Sequence, residues 1–150
     1  MCSSDLAAPT STVFGVKDAG PENNGNGVNF VAYCFAPVSG YSSFGSYTGT
    51  GSDVFVYTGF RPRWVMIKYS SGSASGIIDW GIWDAARGPY NVNDPYLGAN
   101  VSDAEATSAF RKMDFVSNGF VLKGSGVSVS GNTYIYAAFA ENPFSIARAR

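Results

Sequence analysis

The chain has 150 residues, a net charge of −1 and a hydrophobic content of 45%, enough to form the core of one ordinary domain and too much for a disordered chain. Its ten Lys and Arg form no run, so nothing marks a nucleic acid or an anionic membrane surface as a partner. Histidine is absent, which excludes a His-dependent catalytic triad or zinc site within this chain. With 18 Gly, 3 Trp, 9 Tyr, 11 Phe and only 14% charged residues, short strands and tight turns are favoured over helices, which would need more Leu, Glu and Lys.

Met1-Cys2-Ser3-Ser4-Asp5-Leu6 lacks the basic start and apolar core of a signal peptide, and no run elsewhere approaches the roughly 18 apolar residues of a membrane span. Residues 1–8 are expected to be a disordered leader. One back-translation of the leader resembles a sequencing-adapter tail, which places the native start further upstream; a short native terminus is the alternative. Residues 9–38 read as a β-hairpin, with a strand around Thr12–Val16, a polar turn from Asp18 to Gly27 and a second strand from Val28 to Ala36. Cys34, inside that second apolar run, reads as a small buried hydrophobe, and two cysteines make neither a disulfide framework nor a metal-ligand spacing.

Residues 39–150 supply the main domain. Ser43–Thr48 alternates towards one face, Gly49–Asp53 turns, and Val54–Tyr57 leads into the stretch that organises the chain. There Gly59 and Pro62 mark a turn, and the residues after Pro62 are aromatic, β-branched or long apolar apart from Lys68, so they are expected to form the central strand with Trp64 in the core. The small polar loop 70–76 precedes Ile77–Asp84, which can pair back as a third strand. No periodicity survives from Ala85 to Thr107, and a loop of that length is a natural place for binding chemistry. Phe110–Phe115, Phe120–Lys123 and Thr133–Ala140 supply the remaining strands, Asn142-Pro143-Phe144 ends the last one, and Ile146–Arg150 reads as a short basic tail. The expected class is all-β: an antiparallel β-sandwich, jelly-roll or lectin-like, with few or no helices.

Phe30 aligns with Tyr134, Val31 with Ile135, Phe35 with Phe139 and Ala36 with Ala140, a constant offset that suggests a repeat of about a hundred residues. Residues 9–38 would then close a preceding copy; the alternative is that two hairpins rich in Gly and aromatics look alike.

Four groups of side chains offer chemistry. Asp79 and Asp84 flank two tryptophans, as a glycosidase's carboxylates would, but an odd separation along a strand puts them on opposite faces, so no catalytic residue is assigned. Asp84 and Arg87 read as a structural ion pair at a strand end, with Arg87 also able to bind carbonyls of the long loop. Trp80, Trp83, Tyr90 and Tyr96 could form a stacking platform for sugar rings, although Trp83 also reads as core and Tyr90 and Tyr96 are the better candidates for exposure. Asp94, Asp103 and Glu105 share the long loop without the spacing of a calcium loop, so no metal and no cofactor is expected.

Five blocks, Phe44–Gly49, Tyr57–Lys68, Asp84–Arg87 with Pro89–Val92, Ser117–Phe120 and Tyr134–Phe144, resemble in order and spacing a repeat domain of unknown function found in tail-fibre and other virion structural proteins of tailed bacteriophages. The resemblance covers residues 41–150, and 9–38 resembles the end of a preceding copy. It implies a non-enzymatic virion component of the tail, extracellular when acting, whose partners are neighbouring repeats or virion proteins and a host cell-surface glycan. Fibres of this kind are often trimers, so a homotrimer is among the assemblies implied. Carbohydrate-binding module of a secreted bacterial protein is the alternative reading.

Overall fold

Alternation along the stretch after Pro62 decides which of its side chains are buried. The structure, a computed structural model, describes residues 10–16, 25–73 and 79–142. Among these are the strands β1 (Ser42–Thr48), β2 (Val54–Tyr57), β3 (Pro62–Ser71), β4 (Trp80–Asp84), β5 (Leu97–Gly98), β6 (Lys112–Val116), β7 (Gly119–Lys123) and β8 (Thr133–Ala140), and no helix. One five-stranded sheet has the order β1-β8-β3-β4-β5, and β2-β7-β6 form a second sheet. Every pairing is antiparallel. The fold is all-β and sandwich-like, with β3 in the middle of the larger sheet.

Within β3, Val65 and Ile67 are fully buried, so a period of two sends Trp64, Met66 and Lys68 to the opposite face. Trp64 is therefore half-buried on the outer side of the sheet, 5.6 Å from the Phe139 ring, and does not enter the core as expected. Tyr47 of β1, Trp83 of β4 and Tyr134 and Ala138 of β8 join Val65 and Ile67 on the inner face. Val56 of β2, Met113 and Phe115 of β6, and Phe120 and Leu122 of β7 oppose them. The two layers touch where Phe120 meets Tyr136 edge to face at 5.5 Å. Each such side chain, fully buried, contributes about 1.5–3 kcal/mol.

The chain divides into two compact units, Met1–Phe35 and Ala36–Arg150, and the strands among the described residues lie in the second. In the first, the described residues 10–16 and 25–35 form no strand, so the hairpin expected over 9–38 is not formed there. Thr10 instead caps a small turn, its Oγ1 accepting from the backbone N–H of Val13 at 3.1 Å. Val28, Phe30, Val31, Tyr33 and Phe35 are exposed, and Cys34 is an exposed free thiol rather than a buried hydrophobe. The physical reason lies in β8, which carries the same apolar pattern but is paired on both sides, by β1 and β3. A lone hairpin has no sheet to bury its apolar face against and is marginal in water. The leader 1–8, Ile77 and Ile78 of the expected third strand, and the basic tail lie outside the described residues.

Gly119 opens β7 opposite Tyr57 of the antiparallel β2: a Cβ there would lie 2.1 Å from the Val56 carbonyl oxygen and 2.9 Å from the Phe55 side chain. Gly119→Ala must push the two strands apart. We expect it to lower unfolding free energy by roughly 2 kcal/mol in urea titrations. An unchanged midpoint would show that the β2–β7 contact is looser than described.

Candidate functional site

The long segment 85–107 is anchored rather than free. Leu97 and Gly98 of β5 pair with Ile82 and Gly81 of β4. Tyr96 and Ala106 exchange backbone hydrogen bonds at 2.9 and 3.1 Å. Asn93, fully buried, exchanges backbone hydrogen bonds with Met113 of β6, while its side-chain Nδ2 donates to the carbonyls of Asp84 at 2.8 Å and Gly88 at 2.9 Å. The Asn91 side chain then mimics a strand, its Nδ2 donating to the Phe115 carbonyl and its Oδ1 accepting from the Phe115 N–H, both at 3.0 Å. The two asparagines thus cover the edge of the three-stranded sheet and tie it to the end of β4. Gly88 has to be glycine because a Cβ would fall 2.5 Å from the Asn93 side chain. Neither asparagine stands out in the sequence, since the pattern that signals a strand is carried here by a side-chain amide.

Asp84 and Arg87 are paired. Asp84 Oδ1 accepts from the backbone N–H of Ala86 at 2.9 Å and of Arg87 at 2.8 Å, and Oδ2 accepts from Arg87 Nε at 2.5 Å. Arg87 reaches on to Glu105 Oε2 at 3.3 Å, so the pair also holds the far end of the long segment. The carbonyl it reaches, at 3.4 Å, belongs to Ile82 in β4 and not to the loop. Burial pushes the Asp84 carboxyl up, but the Arg87 N–H and guanidinium and the Ala86 N–H outweigh it and hold the group below its ordinary value of 3.8.

The aromatic candidates do not gather. Trp83 points inward and is fully buried. Trp80, three positions before Trp83 and so of opposite parity, lies on the outer face of the sheet with the Lys68 ammonium 5.4 Å from its ring centroid. Tyr90 is 84% exposed and makes no ring contact among the described residues. Only Tyr96 stays near Trp83, stacking on it at 5.8 Å and 28°. The expected platform of Trp80, Trp83, Tyr90 and Tyr96 is thereby reduced to Tyr96, because the alternation of β4 separates Trp80 from Trp83. The loop carboxylates are dispersed too: Asp94 faces Lys112 at 3.4 Å, Glu105 faces Arg87, and no metal-holding group of three or more exists among the described residues.

Tyr96 instead lines an open groove of about 690 Å³ between segments 107–111 and 125–130. Phe110, 63% exposed, stands on one wall, with Arg111 beside it, and Thr107, Ser108, Ser125 and Ser130 add hydroxyls. Phe110 and Arg111 were expected inside a strand, but β6 begins only at Lys112. The preceding turn is held by Ser108, whose carbonyl accepts from the Arg111 N–H at 3.2 Å, and by Gly126, whose N–H donates to the Phe110 carbonyl at 2.9 Å. A Cβ on Gly126 would lie 2.7 Å from that carbonyl oxygen, so the close approach of the two walls depends on glycine.

Fold and groove together define an all-β, sandwich-like module with an anchored long loop and an open, hydroxyl-lined and aromatic cleft beside it. Residues 2–143 match the family described as a domain of unknown function (DUF7483), and the chain belongs to that family. No curated protein and no solved structure matches it.

Because the folded Asp84 carboxyl titrates below its unfolded value, its contribution is complete above about pH 4 and disappears as pH falls through the folded pKa. Asp84→Asn is expected to cost roughly 1–2 kcal/mol at pH 7 and progressively less on acidification below pH 4. Urea titrations of both proteins across that range check it; a difference that does not depend on pH would contradict the ion-pair account.

Proposed function

We propose that this chain is a non-enzymatic structural and adhesive module of a bacteriophage tail or tail fibre, and that its groove meets glycans on the host surface. The supporting observation is the groove at Phe110: its exposed ring offers an aromatic face to the C–H side of a pyranose, while the surrounding Thr107, Ser108, Ser125 and Ser130 suit the sugar's hydroxyls. Asp79 lines a separate, smaller cavity and Asp84 is committed to Arg87, so the two carboxylates share no substrate position, which favours binding over hydrolysis.

The tandem arrangement draws support from the first unit. Residues 28–36 carry the pattern of β8 without the two neighbours that β8 has, as the last strand of a preceding copy would. The outer face of the five-stranded sheet also carries half-buried Trp64, Met66 and Ile82, apolar surface suited to a neighbouring repeat. The blocks that carry the phage resemblance fall mainly on strands and their turns, so they describe the scaffold; the groove wall at 107–111 lies outside them.

The full chain, immobilised at high density on a glycan array, is expected to retain at least one bacterial surface glycan saturably, and Phe110→Ser is expected to weaken that retention about tenfold while leaving the thermal midpoint unchanged, since the ring is exposed. A folded chain that retains no glycan would remove the adhesive half of the proposal and leave a spacer.

A further inference from the structure

Resting on the glycan reading, we propose that the groove selects a carboxylate-bearing sugar, a uronic or sialic acid unit, and that Arg111 is the residue that selects it. Among the described residues, Arg61, Arg87, Lys112 and Lys123 each face a carboxylate. Arg111 faces none. One of its N–H groups donates to the Tyr96 hydroxyl at 2.9 Å, its guanidinium lies 5.3 Å from the Tyr96 ring centroid, and the rest of its donor fork finds no acceptor among the described residues. The side chain is half-buried, so this cation is partly withdrawn from water without a counter-ion. A planar fork left open at the wall of this groove is matched by a carboxylate that takes two parallel N–H donors.

The position is fixed from behind. The Arg111 carbonyl accepts from Trp83 Nε1 at 3.0 Å, and the Tyr96 ring under the guanidinium is itself stacked on the buried Trp83. Core packing therefore orients both groups before anything binds, which limits the ordering cost of association. With the carboxylate on Arg111, a pyranose ring has Phe110 for its apolar face and Ser108 and Ser125 for its hydroxyls. Asp79 and Asp103 line the adjoining cavity of about 70 Å³, on which Tyr96 and Arg111 also border, and Asp79 accepts from Asn100 Nδ2 at 3.0 Å rather than from the guanidinium. Their field opposes a multiply charged anion and favours a single carboxylate over a phosphate.

Titration of the full chain with glucuronic acid and N-acetylneuraminic acid, and with glucose as the neutral counterpart, tests this by chemical-shift perturbation. At least one acid is expected to bind about tenfold more tightly than glucose, with an advantage that shrinks when salt is raised from about 0.05 to 0.5 M. Arg111→Gln keeps the backbone carbonyl that Trp83 uses and should bring acid and glucose affinities level; Arg111→Lys, with charge but no fork, should fall between. Equal binding of acid and neutral sugars, or an advantage that survives Arg111→Gln, would overturn the selectivity and leave the adhesive reading intact. Absence of any sugar binding at tens of millimolar, together with a blank glycan array, would defeat the adhesive reading itself.

Discussion

Two-sided pairing of β8 is the constraint on which the rest of the second unit depends. It joins β1, some ninety residues earlier in the chain, to β3, and both partners run antiparallel to it in a register that lays Tyr47 and Ile67 on the same inner face. Tyr134 sits at the centre of this arrangement, fully buried, stacked on Tyr47 at 5.1 Å and meeting Tyr69 edge to face at 6.1 Å. Its hydroxyl accepts from the Val129 N–H at 3.3 Å, and the Tyr47 hydroxyl donates to the Val127 carbonyl at 2.7 Å. Burial and the neighbouring Tyr134 hold the Tyr47 hydroxyl protonated far above its ordinary range, so that donor persists at any physiological pH. Two buried phenols thus satisfy turn groups that the ladder itself leaves unpaired.

The groove follows from those bonds. One wall, 125–130, is the turn that Tyr47 and Tyr134 hold from below, and the Oγ of buried Ser128 accepts from the Thr50 N–H at 3.2 Å. The other wall, 107–111, is carried by the end of the long segment, which Asn91 and Asn93 fasten to β6 and Arg87 fastens to Asp84. Both walls are irregular chain, yet each is tied to a strand by a buried or half-buried polar group. That arrangement, variable backbone on a fixed scaffold, is the usual physical basis for recognition by loops.

The site also shows why a linear motif was a poor guide. Aromatic residues were the visible candidates, but in a sandwich every second position of a strand faces the core whatever residue it carries. Trp83 does so, and in doing so it acquires a different role, since its indole N–H positions Arg111 and its ring supports Tyr96. The recognition groups proposed here come from three separate segments, around Tyr96, Phe110 and Ser125, that have no shared spacing in the chain.

From composition and alternation alone, the sequence determined the all-β class, the strands at 54–57, 62–71 and 133–140 within a residue or two, the antiparallel return of 80–84 onto β3, and the Asp84–Arg87 pair, because period-two patterning, turn residues and short-range ion pairs are local properties. Tertiary structure alone decided which face of each strand is buried, which is why Trp64 lies outside and Trp83 inside. It likewise decided that residues 28–36, though written like β8, form no strand, since strand formation requires partners and not only propensity. And it alone brought Tyr96, Phe110 and Arg111 to one groove, because that meeting depends on long-range register, which no local pattern encodes.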